Sequence, residues 1–203
     1  MNPPIPPYQN FLSMGHIIKP VPYPAGPHPD KGNRGFKPLK GKTLTEIIAA
    51  VPEAAQDEAL ASILNDINSA NSALFSIGCG SADVLEPSGG CRVWGYVEFA
   101  INDKQAALDR TAYFHIFVQF AALLSAHFNQ KVQFVWILQG ARFKDAGVDG
   151  FSCWVDVNTH EHPNKEAARD CWNKSLEALR ACLSGVIYLK LNGAIITNFD
   201  RIY

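Results

Sequence analysis

The sequence predicts an α+β fold: an antiparallel sheet built from two ββα units, an internal duplication, with helices on one face and an extended N-terminal arm. Three observations predict it. Strand-period alternation followed by a helix occurs twice, over 73–128 and again over 132–185. The turns inside these blocks carry hairpin chemistry, Ser88-Gly89-Gly90 in one and Lys144-Asp145-Ala146-Gly147 in the other. Ten of the thirteen prolines fall within residues 1–42, a density that excludes helix and internal strand and leaves an extended, polyproline-like segment.

The domain division that follows is an arm over 1–42 and a single α+β domain over 43–203. The arm interleaves its prolines with Tyr8, Phe11, Leu12, Ile17, Ile18, Tyr23 and Phe36. It holds six basic side chains, Lys19, Lys31, Arg34, Lys37, Lys40 and Lys42, against the single acid Asp30, whereas the rest holds twelve basic and eighteen acidic residues. That asymmetry points to partners. The whole chain has a formal net charge of −1, which argues against a general polyanion binder.

After the arm, Thr43 or Thr45 caps a short helix over 44–51. Pro52, at a first-turn position, opens a second helix running to about Asn68, with Leu60, Ile63, Leu64 and Ile67 on one stripe. The run Cys91–Ile101 alternates: Val93, Gly95, Val97, Phe99 and Ile101 point one way, and Arg92, Trp94, Tyr96 and Glu98 the other. Asn102 or Asp103 then caps a central helix over 104–128. From Ala112 onward that helix is apolar in nearly every direction, apart from Thr111, His115 and Gln119, so it is expected to be covered on most sides. The pattern returns in strands over 132–140 and 148–158 and a helix over 164–183, closed by Gly185. Asn192-Gly193 marks a last hairpin between 187–191 and 194–197.

The two blocks align at a spacing of about 60 residues, with Phe75 on Phe134, Trp94 on Trp154, Val97 on Val157, and KQAALD from Lys104 on KEAARD from Lys165. In that alignment Trp94 and Trp154 are equivalent. One of them is expected in the core and the other at an interface.

The stretch FSIGCGSADVLEPSGGCRVWGYVE, from Phe75 to Glu98, resembles the first two motifs of class I S-adenosylmethionine-dependent methyltransferases. In those enzymes a strand enters a glycine-rich loop beneath the cofactor, and an acidic residue some twenty positions on ends the next strand. The resemblance implies a Rossmann-like α/β fold as the alternative, with S-adenosylmethionine bound by Gly78, Gly80 and Glu98. Ala82 stands where the family has its third glycine, and Ser76 where it usually has an acid.

Other chemistry is thin. His160 and His162 alternate in THEHP but lack a nearby third ligand, so a solvated loop outranks a metal site. His115 reads as a satisfied polar group, and the spacing of Glu98 and Asp156 is open. The five cysteines form no C-x-x-C pair and read as small core residues in a reducing compartment. There is no apolar run of signal-peptide type, and the stretch 112–128 is too short and too interrupted for a membrane span. The expected location is cytoplasmic, or inside a virus particle.

The functional expectation is a non-catalytic binding or assembly protein. It would oligomerise or dock on a protein partner through its arm and apolar helix, as viral and phage structural proteins with lacing arms do. Tyr8, Phe11, Tyr23, Phe36, Trp94 and Trp154 are the expected contact residues, with no cofactor or metal. The alternative is a methyltransferase-like protein, active or degenerate. Nucleic-acid binding through the basic arm is the third reading, and the acidic body weighs against it.

Overall fold

The computed structural model of the chain describes residues 6–27, 34–186, 190–191, 194–195 and 200–203. Its strands are β1 (Gln9–Val21), β2 (Leu74–Leu85), β3 (Cys91–Ile101), β4 (Val132–Phe143), β5 (Val148–Thr159), and the short β6 (Lys190–Leu191) and β7 (Ala194–Ile195). The helices are α1 (Leu44–Ala50), α2 (Pro52–Ala55), α3 (Glu58–Ile67), α4 (Arg110–His127) and α5 (Lys165–Ser184), with a 3₁₀ turn at Ala106–Leu108. Five strands form one sheet in the order β1-β4-β5-β3-β2.

The α+β class stands, with two changes. The sheet is mixed rather than purely antiparallel, because β1 runs parallel to β4 from Gln9↔Gln133 to Val21↔Phe143. And much of the expected arm belongs to the domain: residues 9–21 are an edge strand. An edge position tolerates Pro20, because a strand there leaves one side of its backbone unpaired. Residues 1–5 and 28–33 of that segment lie outside the described residues.

The segment 73–101 is a hairpin. β2 and β3 pair antiparallel from Leu74↔Ile101 to Leu85↔Cys91, so no helix crosses between them. A methyltransferase requires a crossover that makes its first two strands parallel. The Rossmann-like alternative is therefore corrected: Gly78 and Gly80 lie within a strand, not in a cofactor loop.

The order ββα does recur, as β2-β3-α4 and β4-β5-α5, but the residue matches do not all sit in equivalent places. Val97 and Val157 are both core residues of the helix-covered face, and their hairpin partners are Cys79 and Phe134. Phe75, the expected match of Phe134, instead packs on the opposite face with Val21 and Phe143. Lys104–Asp109 leads through the 3₁₀ turn to α4, whereas Lys165–Asp170 is already helix.

The helix-covered face holds the main core. Val93, Val97, Phe99, Phe134, Trp136, Val155 and Val157 meet Leu60, Ile63, Phe120, Leu124, Trp172 and Leu176. The aromatic pairs here are largely edge-on, with Phe120 to Phe134 at 4.9 Å and Phe117 to Trp136 at 5.8 Å, the geometry that ring quadrupoles favour.

Helix starts follow side-chain caps. Thr43 and Glu46 form a capping box on α1, and Asp57 rather than Pro52 starts the long helix α3. Asp103 Oδ1 accepts from the Gln105 and Ala106 backbone N–H groups, capping the 3₁₀ turn, and Asp109 caps α4. The central helix thus begins at Arg110 instead of Lys104. It is covered on one side only: Ala112, Tyr113, Ile116, Phe120 and Leu124 are buried, while His115, Val118, Gln119 and Ala122 face solvent. No helix among the described residues is long and apolar enough to cross a membrane.

The last hairpin is present as the short pair β6 and β7, its Asn192-Gly193 turn lying outside the described residues. Beyond it Ile202 and Tyr203 return to the domain. Asn102 Oδ1 accepts from both of their backbone N–H groups, and its Nδ2 donates to the Tyr203 carbonyl. Tyr203 stacks edge-on against Phe75 at 4.8 Å. Asn102→Ala is expected to release these two residues. The check is faster amide hydrogen exchange at Ile202 and Tyr203 than in the unmodified protein, with α5 unchanged.

Candidate functional site

The second face of the sheet is largely free of helices among the described residues, apart from Ala107 of the 3₁₀ turn at one end. Here β3 presents Trp94, Tyr96, Glu98 and Ala100, and β5 presents Ser152, Trp154 and Asp156 across from them. The register places Tyr96 opposite Asp156 and Glu98 opposite Trp154. The Tyr96 and Trp154 rings, on one diagonal of this square, stack at 3.6 Å and 8°. Trp94 extends the aromatic row, 6.2 Å from Tyr96.

At one end of this face Val21, Phe75, Ala100, Phe143 and Ile202 form a smaller core. Residues 22–27 and 34–39 lie beside it. The Tyr23 hydroxyl donates to the Ile77 carbonyl at 2.9 Å, and the Phe36 backbone N–H donates to the Tyr23 carbonyl. Between this strap, the aromatic row, the edge of β2 and the start of α2 lies a cleft of about 580 Å³. Its wall includes Lys19, Arg34 and Lys37, the acid Glu53, and the rings of Tyr23, Trp94, Tyr96 and Trp154.

Lys19 is held in this wall by chemistry beneath it. Glu98 is fully buried. One of its oxygens pairs with the Lys19 ammonium, and the other accepts from Gln139 Nε2 at 2.9 Å and Ser152 Oγ at 3.0 Å. A buried carboxylate is stable only when paired and hydrogen-bonded in this way. The ammonium also lies 4.3 Å from the centre of the Tyr23 ring, a cation–π contact. One Lys19 N–H is taken by Glu98, and an ammonium has three.

The glycines that resemble a cofactor loop have a different use here. A methyl added at Gly80 would lie 3.1 Å from the Tyr96 ring, and one at Gly78 would lie 3.3 Å from the Tyr23 hydroxyl and 3.4 Å from Glu98 Oε2. Both positions are bare so that aromatic side chains can lie against the strand. The Tyr23 and Tyr96 hydroxyls are pushed up from their ordinary range, chiefly by burial, so both remain protonated donors at neutral pH. Burial, helped by Glu53 and Asp57, pushes the Cys79 thiol up to about 12, so it is not a thiolate nucleophile.

Of the expected contact residues, Tyr23, Trp94 and Trp154 come together in the cleft. Neither tryptophan is core, which corrects the expected split between them: Trp94 is 37% exposed and Trp154 stacks in the wall. Phe36 packs between Tyr23 and Tyr203. Tyr8 packs against Phe128 on the far side, and Phe11 is exposed on β1. Lys19, Arg34, Lys37, Gln139 and Ser152 carry no motif that marks them as site residues in the sequence. Only the excess of basic side chains in 1–42 hinted at the first three.

His160 is exposed, and His162 is drawn into a backbone bridge with Cys91. Among the described residues no group of three His, Cys, Asp or Glu side chains is placed to hold a metal ion.

Asp156 accepts from Trp154 Nε1 at 2.6 Å, yet burial raises its pKa. A folded-state pKa above the unfolded one makes the ionised group a cost: stability is lost as pH rises through the folded value. Asp156→Asn keeps an acceptor for Trp154 and is expected to be more stable than the parent at pH 7. The difference should shrink as pH falls through the carboxyl range in paired urea titrations.

No protein-family model matches the chain, and neither a curated protein nor a solved structure shows significant similarity to it.

Proposed function

We propose that this is a binding protein whose working surface is the cleft on the open face of the sheet. One observation carries the reading. A concave site of about 580 Å³, within the size range of small-ligand pockets, joins an aromatic row to a cation fixed by a buried carboxylate. Preorganised charge of this kind lowers the ordering cost of binding. The Glu98 carboxylate already has three partners, which supports a positioning role for it rather than a role in proton transfer.

The test is a crystal soak with a panel of small aromatic acids and phosphates. Bound molecules should gather between Trp94, Lys19 and the 34–39 strap. Binders clustered on another surface, with this cleft empty, would remove the reading.

A second reading, self-assembly, is favoured by β1. It is an outer strand of the sheet, and Phe11, Met14, Ile17 and Ile18 on it are 43–69% exposed. An edge strand with apolar side chains is a template for pairing, and we propose a second copy of this chain as the occupant. The expected result is a solution mass of twice the 22.3 kDa protomer that falls to one protomer in Ile17→Lys. A protomer mass in the unmodified protein at high concentration would exclude this reading.

A further inference from the structure

We infer that the ligand of this cleft combines a flat aromatic ring with an anionic group, and that a nucleotide is the class that fits. This inference rests on the cleft being the working surface and goes on to name its ligand chemistry.

The wall carries Lys19, Arg34 and Lys37 against Glu53, and Glu98 beneath it pairs with Lys19, so one positive charge is left over in a protein whose formal net charge is −1. Glu53 is taken up by Arg34 at 3.4 Å, and Lys37 is exposed with no ion-pair partner among the described residues. Lys19 is aimed and immobilised by Glu98, with further N–H groups left over. An incoming phosphate would gain charge-assisted hydrogen bonds from Lys19, which loses little freedom on binding, and from Lys37, whose charge has no ion-pair partner among the described residues.

The other half of the site is aromatic. Trp94 is the partly exposed end of the row, and the stacked Tyr96 and Trp154 rings back it. A flat base can lie on such a row, because every base has a π-face and stacking is tolerant of sequence. Neither half accounts for the other. A purely anionic ligand would not need the rings, and a purely apolar one would leave two lysines facing it.

The experiment is calorimetric titration of the full chain with AMP, adenosine and inorganic phosphate. AMP is expected to bind about tenfold or more tightly than either fragment, since each half contributes. Lys37→Glu, at an exposed position, should fold normally and weaken AMP by about tenfold or more, with little effect on adenosine. Trp94→Ala should weaken AMP and adenosine together.

A single-stranded adenine octamer separates two sources of the same chemistry. Binding much tighter than AMP, with a steep fall on adding salt, assigns the site to an unpaired nucleotide within a strand. Binding equal to AMP assigns it to a free nucleotide. AMP and octamer both failing to bind, while aromatic acids occupy the cleft in the crystal soak, would overturn the nucleotide and leave the cleft standing. AMP no better than phosphate alone would also overturn it.

Discussion

Asp57→Ala is expected to lower stability by about 2–4 kcal/mol, the combined size of a lost helix cap and a buried indole N–H left unpaired. Asp57 is 5% exposed and joins three elements. One oxygen caps α3 through the Leu60 backbone N–H at 3.0 Å. The other accepts from Ser81 Oγ at 2.8 Å, Trp172 Nε1 at 2.8 Å and an Arg169 N–H at 3.0 Å. Removing the carboxylate leaves a buried indole N–H and a half-buried guanidinium with fewer partners, and uncaps a helix. Arg169 retains Asp83, so the cluster is not wholly dismantled. Urea titration should show a lower midpoint with an unchanged slope. A shift below about 1 kcal/mol would mean that these bonds exchange freely with water.

Gly95→Ala is expected to be nearly as damaging, at about 2–3 kcal/mol, because it overpacks a site with no slack. A methyl there would overlap the end of the Trp172 ring and the Gly80 carbonyl. The carbonyl cannot retreat without breaking the β2-β3 ladder, in which Gly95 faces Ser81. Trp172 cannot retreat without giving up its bond to Asp57. The same methyl at Gly147, where nothing lies within 4 Å but φ is +67°, should cost less than at Gly95. Thermal melts of both variants give the comparison, and equal losses would contradict the packing argument.

Much of the fold was legible because period-2 alternation and hairpin turns act locally. Val93, Val97 and Phe99 face the core as their spacing requires, and both long hairpins close at the expected turns. The strand β1 was hidden by its composition: a run with Pro20, followed by Pro22 and Pro24, reads as an arm, and only tertiary pairing with β4 makes it a strand. The reach of α4 into the core was overestimated because Ala, Val and Phe around its cylinder suggested cover on most sides. In the fold Val118 and Ala122 stay in water, and nothing in a single sequence marks where a sheet ends beneath a helix.

The site divided along similar lines. Trp94, Trp154 and Tyr23 were visible as aromatic residues at suggestive places, and Glu98 as an acid on a strand. Their assembly was not visible, because it depends on Lys19, Gln139 and Ser152 arriving from three different strands. The glycines at 78 and 80 resemble a cofactor loop in the sequence, and the fold uses them otherwise. They make room for Tyr23 and Tyr96, a use that only the packed structure reveals.

The four tryptophans allow the most direct test of the cleft. Trp94 and Trp154 line it, while Trp136 and Trp172 are buried on the helix-covered face. The measurement is an indole N–H NMR titration with the same panel of aromatic acids and phosphates. The cleft predicts that the Trp94 and Trp154 signals move with ligand while those of Trp136 and Trp172 stay in place. Movement confined to Trp136 and Trp172, or no movement of Trp94 and Trp154 with any member of the panel, would contradict it.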